Sequence, residues 1–191
     1  MKKREELKKL LIVVDMVNGF IKEGKMSDKD INHITQRIKV LVESYLSEEE
    51  GVAFIKDTHD YDSVEFKKYP PHCIKGTTEA ELISELSQYE SRALSYEKNS
   101  TSTIFAKNFM RDIERMKSLE EVVITGCCTD ICVMNLAIPL VNYFDEQNKD
   151  VTVRVPQNTV ETFNSDTHNR SEYNNMALRL MKNQGIGVEN I

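Results

Sequence analysis

The sequence predicts an α/β fold: a mostly parallel sheet with helices on both faces. Two observations carry this. Short runs rich in β-branched and aromatic residues alternate with longer stretches whose apolar residues recur every three or four positions. Several of the short runs are apolar throughout, as strands covered on both faces must be. Repeated strand–helix alternation of this kind means βαβ units.

The strands are expected at Leu10–Val14, Val52–Ile55, Ala93–Tyr96, Val122–Thr125 and Val151–Val155, with Val188–Ile191 as a last edge strand. Between them lie five apolar stripes at helical spacing. Ile31, Ile34, Ile38, Leu41, Val42 and Tyr45 form the first, and Leu82, Ile83 and Leu86 the second. Phe105, Phe109, Ile113 and Met116 form the third, Ile131 to Phe144 the fourth, and Tyr173, Met176, Ala177, Leu180 and Met181 the fifth. Pro139 falls inside the fourth and is expected to kink it.

The 191 residues suit one domain, taken as 1–191, with no internal repeat or Gly/Ser/Pro-rich linker. Lys and Arg total 25 against 31 Asp and Glu, a net charge of −6 with no dense basic patch. That argues against nucleic acid or an anionic membrane as the partner. The longest clean apolar run, Leu10–Val14, is far shorter than the ~20 residues of a bilayer span. It is also shorter than the roughly 7–15 apolar residues of a secretory signal. A cytoplasmic protein is therefore expected. The four cysteines, Cys73, Cys127, Cys128 and Cys132, show no paired CxxC motifs, so neither a disulfide scaffold nor a four-thiolate zinc site is expected.

Parallel strands place their carboxyl ends on one rim, where open α/β sheets bind ligands. Asp15 follows the first strand, Asp57 and His59 the second, Lys98 the third, and Gly126 with Cys127-Cys128-Thr129-Asp130-Ile131-Cys132 the fourth. Thr129 or Asp130 as an N-cap would put Cys132 in the first turn of a helix, where the dipole and a nearby lysine favour a thiolate. Asp15 suits a general base for that thiol, and Lys98 a cation that holds the acid and lowers the thiol pKa. A packing cysteine, a turn acid and a solvated lysine are the plainer alternatives. Cys127 and Cys128 read as packing residues.

A second constellation, Asp57-x-His59-x5-Glu65-x6-His72, gathers two nitrogen and two oxygen ligands suited to Zn²⁺, Fe²⁺ or Mn²⁺. A polar, solvated loop is the alternative. Pro70-Pro71 stiffens the approach to His72. His33 and His168 read as structural or solvated.

These pieces, in this order, resemble the nicotinamidase/isochorismatase-like cysteine hydrolases. Leu11-Ile12-Val13-Val14-Asp15-Met16-Val17-Asn18-Gly19-Phe20 is similar to the opening strand and acid motif. Asp57-Thr58-His59, Glu65 and Tyr69-Pro70-Pro71-His72-Cys73 with Gly76-Thr77 resemble the metal loop. Tyr96-Glu97-Lys98 resembles the lysine strand, and Thr125-Gly126-Cys127-Cys128-Thr129-Asp130-Ile131-Cys132-Val133 the nucleophile motif.

The resemblance implies a three-layer α/β/α fold with a six-stranded, mostly parallel sheet of order 3-2-1-4-5-6. It implies a triad of Asp15, Lys98 and Cys132, and a cis peptide between Cys127 and Cys128 that presents the backbone N–H groups of Cys128 and Cys132 as an oxyanion hole. It further implies one divalent metal, zinc first and iron or manganese next, on Asp57, His59, Glu65 and His72. Phe20 and Tyr69 would flank a small amide substrate, nicotinamide first. The family often self-associates, so a homo-oligomer is a further expectation.

Three segments depart from the family pattern. Val17 and Gly19 stand where Gln and Asp are frequent, Asn99–Thr103 lacks an aromatic, and Leu136-Ala137-Ile138-Pro139 replaces a Thr-Ala-x-Asp run. The competing readings are a relative acting on another small amide or on a vinyl ether, a nucleotide-binding flavodoxin-like module, a thiol redox protein, and a non-catalytic metal-binding protein. Cys132 disfavours the vinyl-ether branch, which lacks the cysteine. The absence of GxGxxG and P-loop motifs disfavours the nucleotide module.

Overall fold

The computed structural model describes residues 3–191; Met1 and Lys2 lie outside the described residues. Strands β1 (Lys9–Val14), β2 (Gly51–Asp57), β3 (Leu94–Lys98), β4 (Glu121–Cys127), β5 (Thr152–Arg154) and β6 (Val160–Glu161) form one sheet. Its order is β3-β2-β1-β4-β5, with β6 also on β4, and every pairing is parallel.

The two last strands share one edge of β4. Glu121–Val123 pair with β5, and Gly126–Cys127 pair with β6. The sixth strand is therefore Val160–Glu161, and the expected edge strand at Val188–Ile191 does not form. Gly187 makes a single bridge to Arg154, and Val188 accepts one bond from the Gln157 N–H. Only Val188 and Ile191 of the four are apolar, and the three-residue β5 offers too short an edge to pair with them.

Helices α1 (Asn18–Ile21), α2 (Thr35–Ser47), α3 (Ser84–Ser87), α4 (Phe109–Arg115), α5 (Met134–Glu146) and α6 (Arg170–Asn183) cover the sheet. β1 is apolar from Leu10 to Val14, and alternate residues feed opposite faces. Leu11 and Val13 pack with Ile31, Ile34, Ile38 and Val42 under α2. Leu10, Ile12 and Val14 share the other core with Phe109, Leu136, Leu140 and Met181 from α4, α5 and α6. Each fully buried aliphatic side chain of this kind contributes about 1.5–3 kcal/mol.

Two expected stripes are trimmed. Asn108 takes a left-handed φ of 70°, so α4 starts at Phe109 and leaves Phe105 82% exposed. On α6 the buried stripe is Ala177, Leu178 and Met181, while Met176 and Leu180 sit at its exposed margin. Helix α5 runs unbroken through Pro139. Among the described residues, no helix is long and apolar enough to cross a membrane.

Candidate active site and metal centre

The sheet register places the rim residues. In the β2–β3 pair, Asp57 is the direct partner of Lys98, the last residue of each strand. In the β1–β4 pair, Val14 lies opposite Gly126. Gly126 has φ +106°, and a Cβ there would come 2.0 Å from the Val14 carbonyl oxygen. Only glycine allows this approach, which brings the loop after β4 against the end of β1. Asp15 leaves β1 with a left-handed φ of 52° while its N–H still bonds to Ile55 O at 3.0 Å. Its side chain is thereby turned into the molecule and is fully buried.

Lys98 joins these groups. Its Nζ donates to Asp57 Oδ1 at 2.6 Å and to Cys132 Sγ at 3.6 Å, and stands 2.9 Å from Asp15 Oδ2. The Asp15 contact is an ion pair whose angles fall outside hydrogen-bond geometry, since neither Asp15 oxygen has a hydrogen-bond partner. All four residues are buried, Cys132 being the most open at 7%.

Burial raises the Asp15 carboxyl to about 6, with Lys98 opposing and Asp57 reinforcing the rise. Burial also works against charge on Asp57, but Lys98, His59 and His72 together hold it below the ordinary carboxylate range. For Lys98, burial is outweighed by Asp15, Asp57 and Cys132, so it stays a firm ammonium. Burial pushes the Cys132 thiol well above its ordinary range; Lys98 opposes this, and Asp15 and Asp57 offset Lys98.

This direction is opposite to the one expected for a lysine-stabilised thiolate. The expected N-cap is revised too. Cys132 lies in a π-helical turn, Thr129–Val133, ahead of α5, and no side chain caps that turn. Thr129 Oγ1 is buried without a hydrogen-bond partner. Asp130 instead accepts from Thr162 Oγ1 at 2.5 Å and meets His168 Nε2 at 2.9 Å. His168, expected to be solvated or merely structural, is 8% exposed and lies between the rings of Phe163 and Tyr173 at 3.9 and 3.8 Å. The Cys127–Cys128 peptide is cis. Cys127 is fully buried and its thiol donates to Asp15 O at 3.3 Å, while Cys128 borders the cleft.

Beside the lysine, one ligand atom each from Asp57, His59 and His72 lie within 4.8 Å of one another. The loop is folded back so that His59 N–H bonds to Cys73 O and Lys75 N–H to His59 O, which sets His72 beside His59. Their Nε2 atoms stand 2.9 and 3.1 Å from Asp57 Oδ2. Each Nδ1 is engaged elsewhere: His59 with Asn99 Oδ1 and His72 with Pro70 O, both at 2.8 Å. Engaging Nδ1 as a donor turns each Nε2 toward Asp57 Oδ2, the orientation of metal-binding imidazoles. The donor set, a buried carboxylate and two imidazoles, fits a divalent transition metal. Glu65 lines the adjoining cleft but is not in this cluster. Its N–H caps onto Ser63 Oγ in the short turn Val64–Lys67, which holds it at the cleft wall.

The cleft itself is lined by Phe20, Tyr69, Cys128, Ile131, Cys132 and Phe163, among others. Phe20 and Tyr69 flank the His72 ring at 5.6 and 6.4 Å, and Phe66 meets both imidazoles edge-on. Phe66, Asn99 and Phe163 have no motif of their own, and Ile131 lies inside the nucleophile motif without a role assigned to it. Asn99 stood beside Lys98 at a strand end and was findable there. Phe163 follows β6, whose two residues give too short a pattern to register as a strand. Gly19, a departure from the family pattern, is explained by Cys73: a Cβ at 19 would meet its Sγ at 2.6 Å.

An isochorismatase domain model matches residues 9–186. The chain belongs to the isochorismatase family. This isochorismatase-family hydrolase is 29% identical over 173 residues to an uncharacterized isochorismatase family protein, PncA, of Bacillus subtilis, covering 85% of this chain and 91% of that one. It is 34% identical over 140 residues to nicotinamidase 1 of Arabidopsis thaliana, covering 65% of this chain and 57% of that one. In structure it is similar to nicotinamidase PncA from Bacillus subtilis, with a TM-score of 0.80 at 30% identity, covering 96% and 100% of the two chains. N-carbamoylsarcosine amidase from Thermoplasma acidophilum shares the fold, with a TM-score of 0.77 at 23% identity and 96% of each chain covered.

Proposed function

We propose that this hydrolase is a metal-containing cysteine amidohydrolase that converts nicotinamide to nicotinate and ammonia. The observation that carries the reading is the position of Lys98, whose ammonium contacts Asp15, Asp57 and the Cys132 sulfur at once. The structural likeness to a nicotinamidase at 30% identity supports the substrate.

In this reading Asp15, a carboxylate above about pH 6, takes the Cys132 thiol proton as the sulfur attacks the carboxamide carbon. The backbone N–H groups of Cys128 and Cys132 receive the oxyanion, a contribution of about 2.7–4 kcal/mol per donor in other enzymes. The C–N bond breaks, Asp15 returns the proton to the leaving nitrogen, and ammonia departs from a Cys132 thioester. Asp15 then takes a proton from water as its oxygen attacks the thioester. The carboxylic acid leaves and the thiol is restored. Lys98 keeps both carboxylates in place throughout. Phe20 and Tyr69 sandwich the ring. Asp57, His59 and His72 would hold the metal, zinc first, which supplies a Lewis-acidic anchor for a lone pair on the substrate.

A second substrate among small carboxamides is favoured by one observation: Thr101 forms part of the cleft wall, a small polar residue from a segment without an aromatic. Ammonia release from a panel containing nicotinamide, pyrazinamide and aliphatic amides tests both readings. Nicotinamide turnover that disappears in Cys132→Ala is expected. Turnover of another amide alone moves the substrate, and none on any amide sinks the amidohydrolase.

A further inference from the structure

Pro139 sits in the second turn of α5 and has no N–H to give the Asn135 carbonyl four residues earlier. That carbonyl is not left bare. Ser102 Oγ donates to it at 3.0 Å, and Asn135 Nδ2 donates back to Thr101 Oγ1 at 3.4 Å. Thr101 lines the cleft beside Cys132. The same segment begins at Asn99, which holds His59 Nδ1, and is anchored at its far end by the buried residues Thr103 and Ala106. Between these anchors, the contact with Asn135 is what ties the middle of the segment to the helix that follows the nucleophile.

We propose that Pro139 and Ser102 are positioning residues for the substrate cleft. The proline keeps the Asn135 carbonyl without its i+4 helical donor, Ser102 latches onto it, and the latch sets Thr101 as a wall of the pocket. A proline inside a helix is unfavourable in itself. Here its missing N–H is matched by a hydroxyl from the pocket loop, so the helix and the loop are specified together. The consequence for substrate rests on the amidohydrolase reading above; the latch does not.

The test is a double-mutant cycle on the metal-loaded, full-length protein: wild type, Ser102→Ala, Pro139→Ala and the double variant, with Ser102→Thr as a hydroxyl-retaining rescue. In Pro139→Ala the new N–H competes for the carbonyl. Each single variant is expected to raise KM for nicotinamide about 3- to 10-fold, the size of one net hydrogen bond, with kcat within about twofold. The double variant should be no worse than either single one, and Ser102→Thr should stay near wild type. Pro139→Ala should melt no lower than wild type while its KM rises, a divergence that a purely structural role would not produce. Additive KM effects, or kcat falling in step, overturn the proposal. Amide hydrogen exchange over residues 99–106, read without substrate, separates the two claims. If wild type does not turn over nicotinamide, equal and non-additive loss of protection still supports the latch, whereas additive or absent loss sinks it.

Discussion

Lys98 and Asp57 are partners across the β2–β3 register, and the lysine Nζ closes on Asp57 Oδ1 at 2.6 Å. One buried ammonium thus ties the carboxylate of the metal cluster to the acid–thiol pair. Removing it leaves Asp15 and Asp57 buried without the lysine that positions both, which is destabilising for a buried pair and frees the Asp57 carboxylate to turn from His59 and His72. Lys98→Met is expected to abolish amide turnover and to weaken metal retention together. Ammonia assay and metal analysis of the same preparation check this. Full metal retention with lost turnover would separate the two roles.

The metal cluster makes a graded prediction. His59→Ala and His72→Ala should each reduce bound metal well below one per chain in protein never exposed to chelator. Asn99→Ala removes the nearer of the two partners of His59 Nδ1, Ser63 Oγ being the other at 3.3 Å, and should weaken metal affinity about 10- to 100-fold. Elemental analysis and competition with a chromogenic chelator provide the readout. An unaltered affinity in Asn99→Ala would show that His59 is oriented by Ser63 Oγ and its packing against Phe66 instead.

Activity should carry an acid limb set by Asp15. Its pKa is raised to about 6 by burial, so the base form is present above that pH and is lost as pH falls through it. kcat/KM is therefore expected to be level at neutral pH and to drop about tenfold per unit below about pH 6. A limb near pH 4, the ordinary carboxylate range, would remove Asp15 from the role of base.

Gly126 has no substitute. Gly126→Ala places a methyl group 2.0 Å from Val14 O at φ +106°, and should destabilise the fold by about 3 kcal/mol or more in urea titration. Gly76 is the control. Its φ is +81° but a Cβ there meets nothing within 4 Å, so Gly76→Ala should cost about 1–2 kcal/mol. Equal losses at both sites would mean that backbone strain alone, not the close approach of β4 to β1, sets the requirement.

His168 holds Asp130, two residues before Cys132, from between two aromatic rings. His168→Ala is expected to destabilise the protein by about 1.5–3 kcal/mol, the range for a hydrogen bond to a charged group. His168→Gln, which keeps a donor, should recover part of that loss. Thermal and urea unfolding measure both. No difference between the two variants would place the effect in ring stacking alone.

Much of this architecture is written locally. β1 and β4 are visible as strands because they are covered on both faces, which makes Leu10–Val14 and Val122–Ile124 apolar throughout, so their period needs no context. Asp15, Asp57, Lys98 and Cys132 could be found because parallel strands put whatever follows them on one rim. His59 and His72 were legible as ligand types close in sequence. Glu65 fitted the same spacing, but spacing carries no direction, and the turn at Ser63 holds it at the cleft wall.

What the sequence alone determined was the strand–helix rhythm, the rim and the chemical types delivered to it. Tertiary structure decided the rest, because each remaining feature depends on a partner distant in the chain. β6 exists because two residues find a free stretch of the β4 edge. His168 is buried because Phe163, Tyr173 and Asp130 enclose it. The Cys132 thiol is pushed upward because burial and two carboxylates outweigh one lysine, a balance of distances that no local pattern encodes.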